Sequence, residues 1–314
     1  IANRNVYVFS SIDNSQVIVP NTAYFFDDFE YDVTRDGVDP AANQAAFQNA
    51  GWSWAKAINI TGSHNGYLYT TTSIPGYTGP FPGTGSDRVL ALEARAGTFG
   101  FQTDFYLQFG DGTGDNETVP GNVWIQFWRY TNDYGTQRSR FADRDKFIYP
   151  CRGTYPCNDQ MWLLYGGTYA NPPYWTDPLG GAGNSEKYLM LYDSQSPQMS
   201  LSDGTQAKLG HNQDLYHLGT NQWQLVKIHI DTSTSQGRYE AWIKPIVGQF
   251  VKVAEWIHGQ NGFRWDIANP GGHRQFRMPT TLPGANNDQN YDSWVYLDDF
   301  SMATSEDELP QYPY

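Results

Sequence analysis

Along most of this chain, apolar and polar side chains alternate with a period of two, the pattern of half-buried β-strands. In one run Phe101, Thr103, Phe105, Leu107 and Phe109 share a side, with Gln102, Asp104, Tyr106 and Gln108 opposite. A second run sets Val123, Ile125 and Phe127 against Trp124, Gln126, Trp128 and Tyr130. Further strands are predicted over 89–94, 161–165, 188–192, 224–230, 239–243, 250–256 and 294–302. Helical periodicity is confined to 40–50, enough for a turn or two. Gly, Pro, Asn and Asp punctuate the strands, and long loops are expected over 73–85 and 169–183. The pattern predicts an all-β fold, an antiparallel β-sandwich of sheets packed face to face. With no internal repeat and no linker, the expected organisation is an N-terminal arm (1–20), a single domain (21–304) and a C-terminal tail (305–314).

Two segments echo each other. Tyr24-Phe25-Phe26-Asp27-Asp28-Phe29-Glu30 and Trp294-Val295-Tyr296-Leu297-Asp298-Asp299-Phe300 both end a hydrophobic run in a carboxylate pair followed by Phe. If the first and last strands lie side by side, the pairs meet at one sheet edge. Asp27, Asp28, Glu30, Asp298 and Asp299 are then candidate ligands for a structural Ca2+, which takes oxygen donors. The same residues read equally as solvated strand ends. Nothing in the pattern calls for an organic cofactor.

The formal net charge of -13 excludes a nucleic-acid partner, which needs an excess of Lys and Arg. It does not exclude an acidic polysaccharide, because a local basic cleft fits within an acidic protein. No apolar run approaches the roughly 18 residues of a membrane span. The start at Ile1, without a signal-like apolar stretch, is expected of a processed mature form, and a piece of a longer chain reads the same. Cys151 and Cys157 fall in a Pro- and Gly-containing segment that reads as a loop, where a disulfide is expected rather than a zinc site. A disulfide implies an oxidising setting, outside the cell or on a cell or virion surface. The oligomeric state is not encoded in any of these features.

The polar side of 123–130 carries the candidate chemistry. Sugar rings stack their C–H faces on aromatic planes, and their hydroxyls need amide, phenol and charged partners. Trp124, Trp128 and, further along, Trp162 are candidate stacking rings for a polysaccharide or surface glycan. The alternative is that these rings pack beneath a covering loop as a second core layer.

Four stretches, Phe26–Glu30, Trp223–Ile230, Gly237–Ile243 and Val295–Phe300, together resemble the concanavalin A-like jelly rolls of polysaccharide lyases, laminarinase-type glycosidases and lectins. The resemblance implies a jelly roll with long loops, a concave glycan groove on one sheet and a structural calcium away from it. Asp145-Lys146-Phe147 and the later Trp162-Leu163-Leu164-Tyr165-Gly166-Gly167 distantly resemble the groove strands of alginate- and glucuronan-type lyases, without their glycine-lysine-leucine-proline core.

Cleavage of a uronate glycan by β-elimination needs groups that neutralise the carboxylate, a base for the C5 proton and a proton donor for the leaving oxygen. Gln126, Tyr130, Arg140, Lys146, Tyr165 and His229 are the candidates. Hydrolysis would need two carboxylates flanking the bond. The Glu-x-Asp-x-x-Glu strand of jelly-roll glucanases does not occur, leaving pairs such as Glu240 and Glu255. Three functions therefore stand at this stage: a polysaccharide lyase, a non-catalytic glycan-binding, adhesion or surface structural domain, and a glycoside hydrolase.

Overall fold

The computed structural model describes residues 25–35, 40–52, 54–58, 66–85, 87–94, 103–109, 121–131, 145–151, 159–165, 187–193, 222–231, 237–257, 275–278, 281–282 and 293–312. In chain order they form β1 (Phe25–Asp27), α1 (Pro40–Asn49), β2 (Trp54–Ile58), β3 (Gly66–Thr71), β4 (Val89–Ala94), β5 (Thr103–Phe109) and β6 (Asn122–Thr131). There follow β7 (Asp145–Cys151), β8 (Asp159–Tyr165), β9 (Lys187–Asp193), β10 (Gln224–Asp231), β11 (Arg238–Pro245) and β12 (Val251–Ile257). The last are β13 (Gln275–Met278), β14 (Thr281–Leu282) and β15 (Ser293–Ala303), then a 3-10 turn at Glu306–Glu308. No helix among the described residues is long and apolar enough to cross a membrane.

The strands make two sheets. The first runs β12-β11-β10-β6-β15-β4-β3, with β1 also pairing β15, and the second runs β13-β5-β14-β7-β8-β9, with β2 pairing β5. The pairs in both sheets are antiparallel, as the alternation predicted. One prediction fails locally. The segment read as a cysteine loop begins inside β7, where Pro150 and Cys151 face Phe276 and Gln275 of β13. Cys157 and the arm over 1–20 lie outside the described residues.

One face of the first sheet is aliphatic. Val123, Ile125 and Phe127 of β6, Val226, Ile228 and Ile230 of β10, and Leu90 and Leu92 of β4 are buried there. Phe300 belongs to the same layer, its ring 5.1 Å from that of Trp52 and 6.1 Å from that of Phe127. Burial of this apolar area, at about 25 cal/mol per Å², dominates the stabilisation of such a sheet.

The opposite face is also covered, and this positions everything that follows. Ile74 and Phe81, from the long loop after β3, pack with Trp128, Tyr130, Trp223, Leu225, Tyr296 and Tyr312 into a second apolar cluster. The tail after β15 folds back over the same face. Its turn is closed by a capping box between Ser305 and Glu308, which satisfies backbone N–H groups that the short turn leaves free. Beyond it Leu309 and Tyr312 are buried. The first sheet is thus buried on both faces over much of its area.

Candidate functional site

The aromatic row on β6 does not form an open groove. Trp128 is 0% exposed, and Tyr130 and Gln126 are each 3% exposed. Trp128 meets the Tyr312 ring edge-on at 5.3 Å, and Gln126 donates from Nε2 to the Pro310 carbonyl at 2.8 Å. Tyr130 lies against Tyr77, Trp223 and Tyr296. The alternative of a second core layer holds for these three residues. The cause is the covering by the 74–83 loop and the tail, which the strand's own sequence cannot reveal. Only Trp124 of the row is partly exposed.

His229 sits beside it, engaged rather than available. Its ring is stacked 4.1 Å from Trp124 at an interplanar angle of 8°. Nδ1 is 2.9 Å from Glu240 Oε2, and Nε2 is 2.9 Å from Asn122 Oδ1. Both nitrogens are committed, so the ring has no free site for a substrate proton. Glu240 and Glu255 do face each other across β11 and β12, but Lys252 donates to both, at 2.6 and 2.7 Å. Burial pushes the Glu240 carboxyl up, yet hydrogen bonds from His229 and Lys252 outweigh it and hold the pKa at about 2. Lys252 thus ties the two carboxylates into one ion-pair network.

The acidic echo does bring its two segments together. Asp27 of β1 pairs with Phe300 of β15, but in the sheet interior, since β15 is flanked by β6 on one side and by β4 and β1 on the other. A bulge between Asp298 and Ser301 places Asp299 at φ 46°, turning adjacent carboxylates into one buried corner. There each carboxylate accepts from N–H or O–H donors. Asp27 accepts from the Phe29 N–H, Trp52 Nε1 and the Tyr31 hydroxyl. Asp298 accepts from the N–H groups of Gly83 and Asp299. Asp299 accepts from Thr84, twice, and from the Tyr312 hydroxyl. Asp28 accepts from the Glu30 N–H, and Glu30 from the N–H groups of Asp87 and Arg88. Gly83 is required at this close approach, because a Cβ there would collide with the Asp298 carboxylate.

The carboxylates expected as calcium ligands are thus the acceptors of these bonds, and among the described residues no three acidic, His or Cys side chains are grouped as a metal site would require. The bonds anchor Gly83, Thr84 and the tail. Burial pushes Asp27 up to about 6, and burial with the neighbouring Asp299 carboxylate pushes Asp298 well above its ordinary value. A raised carboxyl pKa in the fold means that ionisation opposes folding. Its contribution is complete below the unfolded value near ~3.9 and is lost as pH rises through the folded value. The melting temperature should therefore fall as pH rises from about 4 to 6 through Asp27, and Asp298→Asn, which removes a buried charge, should raise it above that window, by about 1–2 kcal/mol of stability. A cation ligated by Asp298 would give the opposite sign: the variant, like a chelator, would lower the melting temperature.

The second sheet is described through its backbone pairing, and its register sorts the remaining candidates. Lys146 pairs with Trp162 and with Thr281, and Thr281 pairs with Asp104. A bulge between Lys146 and Ile148 then shifts the alternation, so that Tyr149 shares Lys146's face. Tyr149 pairs with Arg277, which pairs with Gln108, which pairs with Trp54. One face thus collects Trp54, Lys56, Asp104, Tyr106, Gln108, Lys146, Tyr149, Trp162 and Arg277. The other collects Phe105, Leu107, Phe109, Ile148, Met161, Leu163, Phe276 and Met278, an apolar set suited to the inside of the sandwich. Tyr165, three residues beyond Trp162, falls on that apolar face. The catalytic set expected from sequence therefore splits: Lys146 and Trp162 stay together, Tyr165 is on the opposite face, and Gln126, Tyr130 and His229 belong to the first sheet. Arg140 lies outside the described residues.

Tyr149 and Arg277 were not expected at the site. Arg277 was recoverable, since Gln275-Phe276-Arg277-Met278 alternates like a strand. Tyr149 was hidden by the bulge and by the loop-like Pro150 beside it.

No protein-family model matches the sequence, and no curated protein matches it. Among solved structures, the chain is similar to the PL-14 alginate lyase from Aplysia kurodai, at 13% identity over 81% of this chain and 99% of that one, with a TM-score of 0.46. It is similar to a GH131 β-glucanase catalytic domain from Podospora anserina, at 11% identity over 82% and 85% of the two chains, TM-score 0.40. An endo-1,3-β-glucanase from Streptomyces sioyaensis aligns at 12% identity over 90% and 97%, TM-score 0.39. The described residues form an all-β fold of two antiparallel sheets.

Proposed function

We propose that this protein is a secreted carbohydrate-active protein, a polysaccharide lyase that cleaves a uronate-containing glycan by β-elimination on the polar face of the second sheet. The observation that carries this reading is the register, which puts Tyr149, Arg277 and Gln108 on one rung and Lys146 further along the same face, with Trp54, Tyr106 and Trp162 on that face too. Arg277 and Gln108 supply the cation and amide that neutralise a uronate carboxylate and so acidify the C5 proton. Tyr149 is the group that takes that proton, and Lys146, further along the same face, stabilises the developing charge. The bond between C4 and the leaving oxygen breaks as the C4–C5 double bond forms, and a proton returns to that oxygen. The resemblance of the Lys146 and Trp162 segments to lyase groove strands, and the similarity to an alginate lyase, agree with this chemistry.

Incubation with a panel of uronate and neutral polysaccharides tests it. Products bearing the ultraviolet absorbance of a conjugated unsaturated uronate are expected from one or more acidic glycans. Reducing ends without that absorbance would make the protein a hydrolase, and retention on a glycan column without cleavage would make it a binding domain.

A further inference from the structure

The face of the first sheet that the tail crosses is a trough with an open end. At its closed end Trp128 and Gln126 hold Tyr312 and Pro310. At its open end Trp124 and Trp242 are both partly exposed, with ring centroids 5.6 Å apart and planes within 21°. Trp124 is also stacked on His229 and Lys252 also lies over Trp242, so what they offer is their exposed edges. Between the ends lies Lys227, whose ammonium is 4.1 Å from the Phe250 ring and 5.0 Å from the Trp242 ring. It pairs with the carboxylate of Glu306, a side chain that is itself half-exposed. Lys244 lies close behind, its Nζ 3.5 Å from the Tyr312 carbonyl. Glu306 thus pairs with Lys227, while Lys244 is held by a backbone carbonyl. The other carboxylates nearby, Glu240 and Glu255, are matched by Lys252, with Arg238 also 3.6 Å from Glu240.

An ammonium boxed by indole and phenyl rings and closed by a carboxylate has the makings of a seat for an acidic sugar. Cation–π contacts fix the ammonium, the rings offer apolar surface, and the carboxylate marks where an anion sits. We propose that the open end of this trough is an accessory binding site for a uronate residue, whose carboxylate takes the place of Glu306 on Lys227 while its ring lies against Trp124 and Trp242. Glu306 is then an intramolecular stand-in that weakens binding until a glycan displaces it. The choice of a uronate rests on the lyase reading, but the site is on a different sheet from the cleavage face and binds without cleaving.

The test is calorimetric titration with trigalacturonate and with neutral maltotriose, in a Lys146→Ala background that removes turnover. Glu306→Gln keeps the tail docked through Pro310 and Tyr312, and an unchanged melting temperature verifies this. It should tighten trigalacturonate binding about five- to tenfold, the range set by one charge pair. Trp242→Ala should abolish that gain, and maltotriose should show none. Arg277→Ala should leave the gain intact, separating this site from the cleavage face. Trigalacturonate binding that ignores both Glu306→Gln and Trp242→Ala, or a failure of Glu306→Gln to bind at all, overturns the accessory site. Neither result touches the cleavage assay, which stands or falls on unsaturated products.

Discussion

Tyr149→Phe should lower the rate of uronate elimination by about 10³-fold, the usual loss when a positioned proton-transfer group is removed. The change deletes one oxygen and keeps the ring, so the fold around β7 should hold and the melting temperature should stay within a degree or two. Arg277→Ala should cost roughly 10²–10³ through loss of charge stabilisation at the carboxylate. The two effects should not multiply, because residues that act as a unit are non-additive. Tyr165→Phe is the internal control. It sits on the apolar side of β8, opposite Lys146 and Trp162, and should leave the rate unchanged. Initial rates from product absorbance, with melting curves on each variant, check all of these. Normal turnover in both Tyr149→Phe and Arg277→Ala would remove the assignment of this face. A large loss in Tyr165→Phe would show that the register had been misread.

Trp128→Ala should destabilise the protein by about 3–5 kcal/mol, the range for removing a fully buried large aromatic. The indole is packed between the tail and the sheet, and its loss opens a void beside Leu225, Tyr130 and Tyr312 that the rigid β6 backbone cannot collapse. Release of the tail should follow, seen as faster proteolysis near residue 304. This prediction separates two roles for one residue. A tryptophan in a sugar groove would leave chemical denaturation unaltered and lose glycan binding. One in a second core layer lowers stability and leaves the chemistry of folded molecules intact. Denaturant melts combined with turnover at low temperature distinguish the two.

The legibility of this chain in sequence follows its physics. Alternation located β4, β6, β9, β10, β11 and β15 to within a residue or two at each end. β4, β6, β10, β11 and β15 each present an apolar row to a buried face, and a one-residue slip would turn that row to the wrong side. The pairing of β1 with β15 was legible because both carry the same apolar-acidic ending. The short β13 and β14 and the bulged β7 were not, since two to four residues or a shifted register leave no period to detect. For the same reason the shared face of Tyr149 and Lys146 could not be read from the sequence.

Local alternation, then, determined by itself that this protein is built of antiparallel strands and which residues on each strand go together, because a strand's two faces follow from backbone geometry alone. It could not determine whether a polar face stays open. In sequence the row around Trp128 has rings alternating with hydrogen-bonding groups, as an open groove would. Only the tertiary structure decides against it: residues distant in the chain, Ile74, Phe81 and the tail to Tyr312, fold over that row and turn it into core. Burial depends on what the rest of the chain lays on a face, and no strand carries that information within itself.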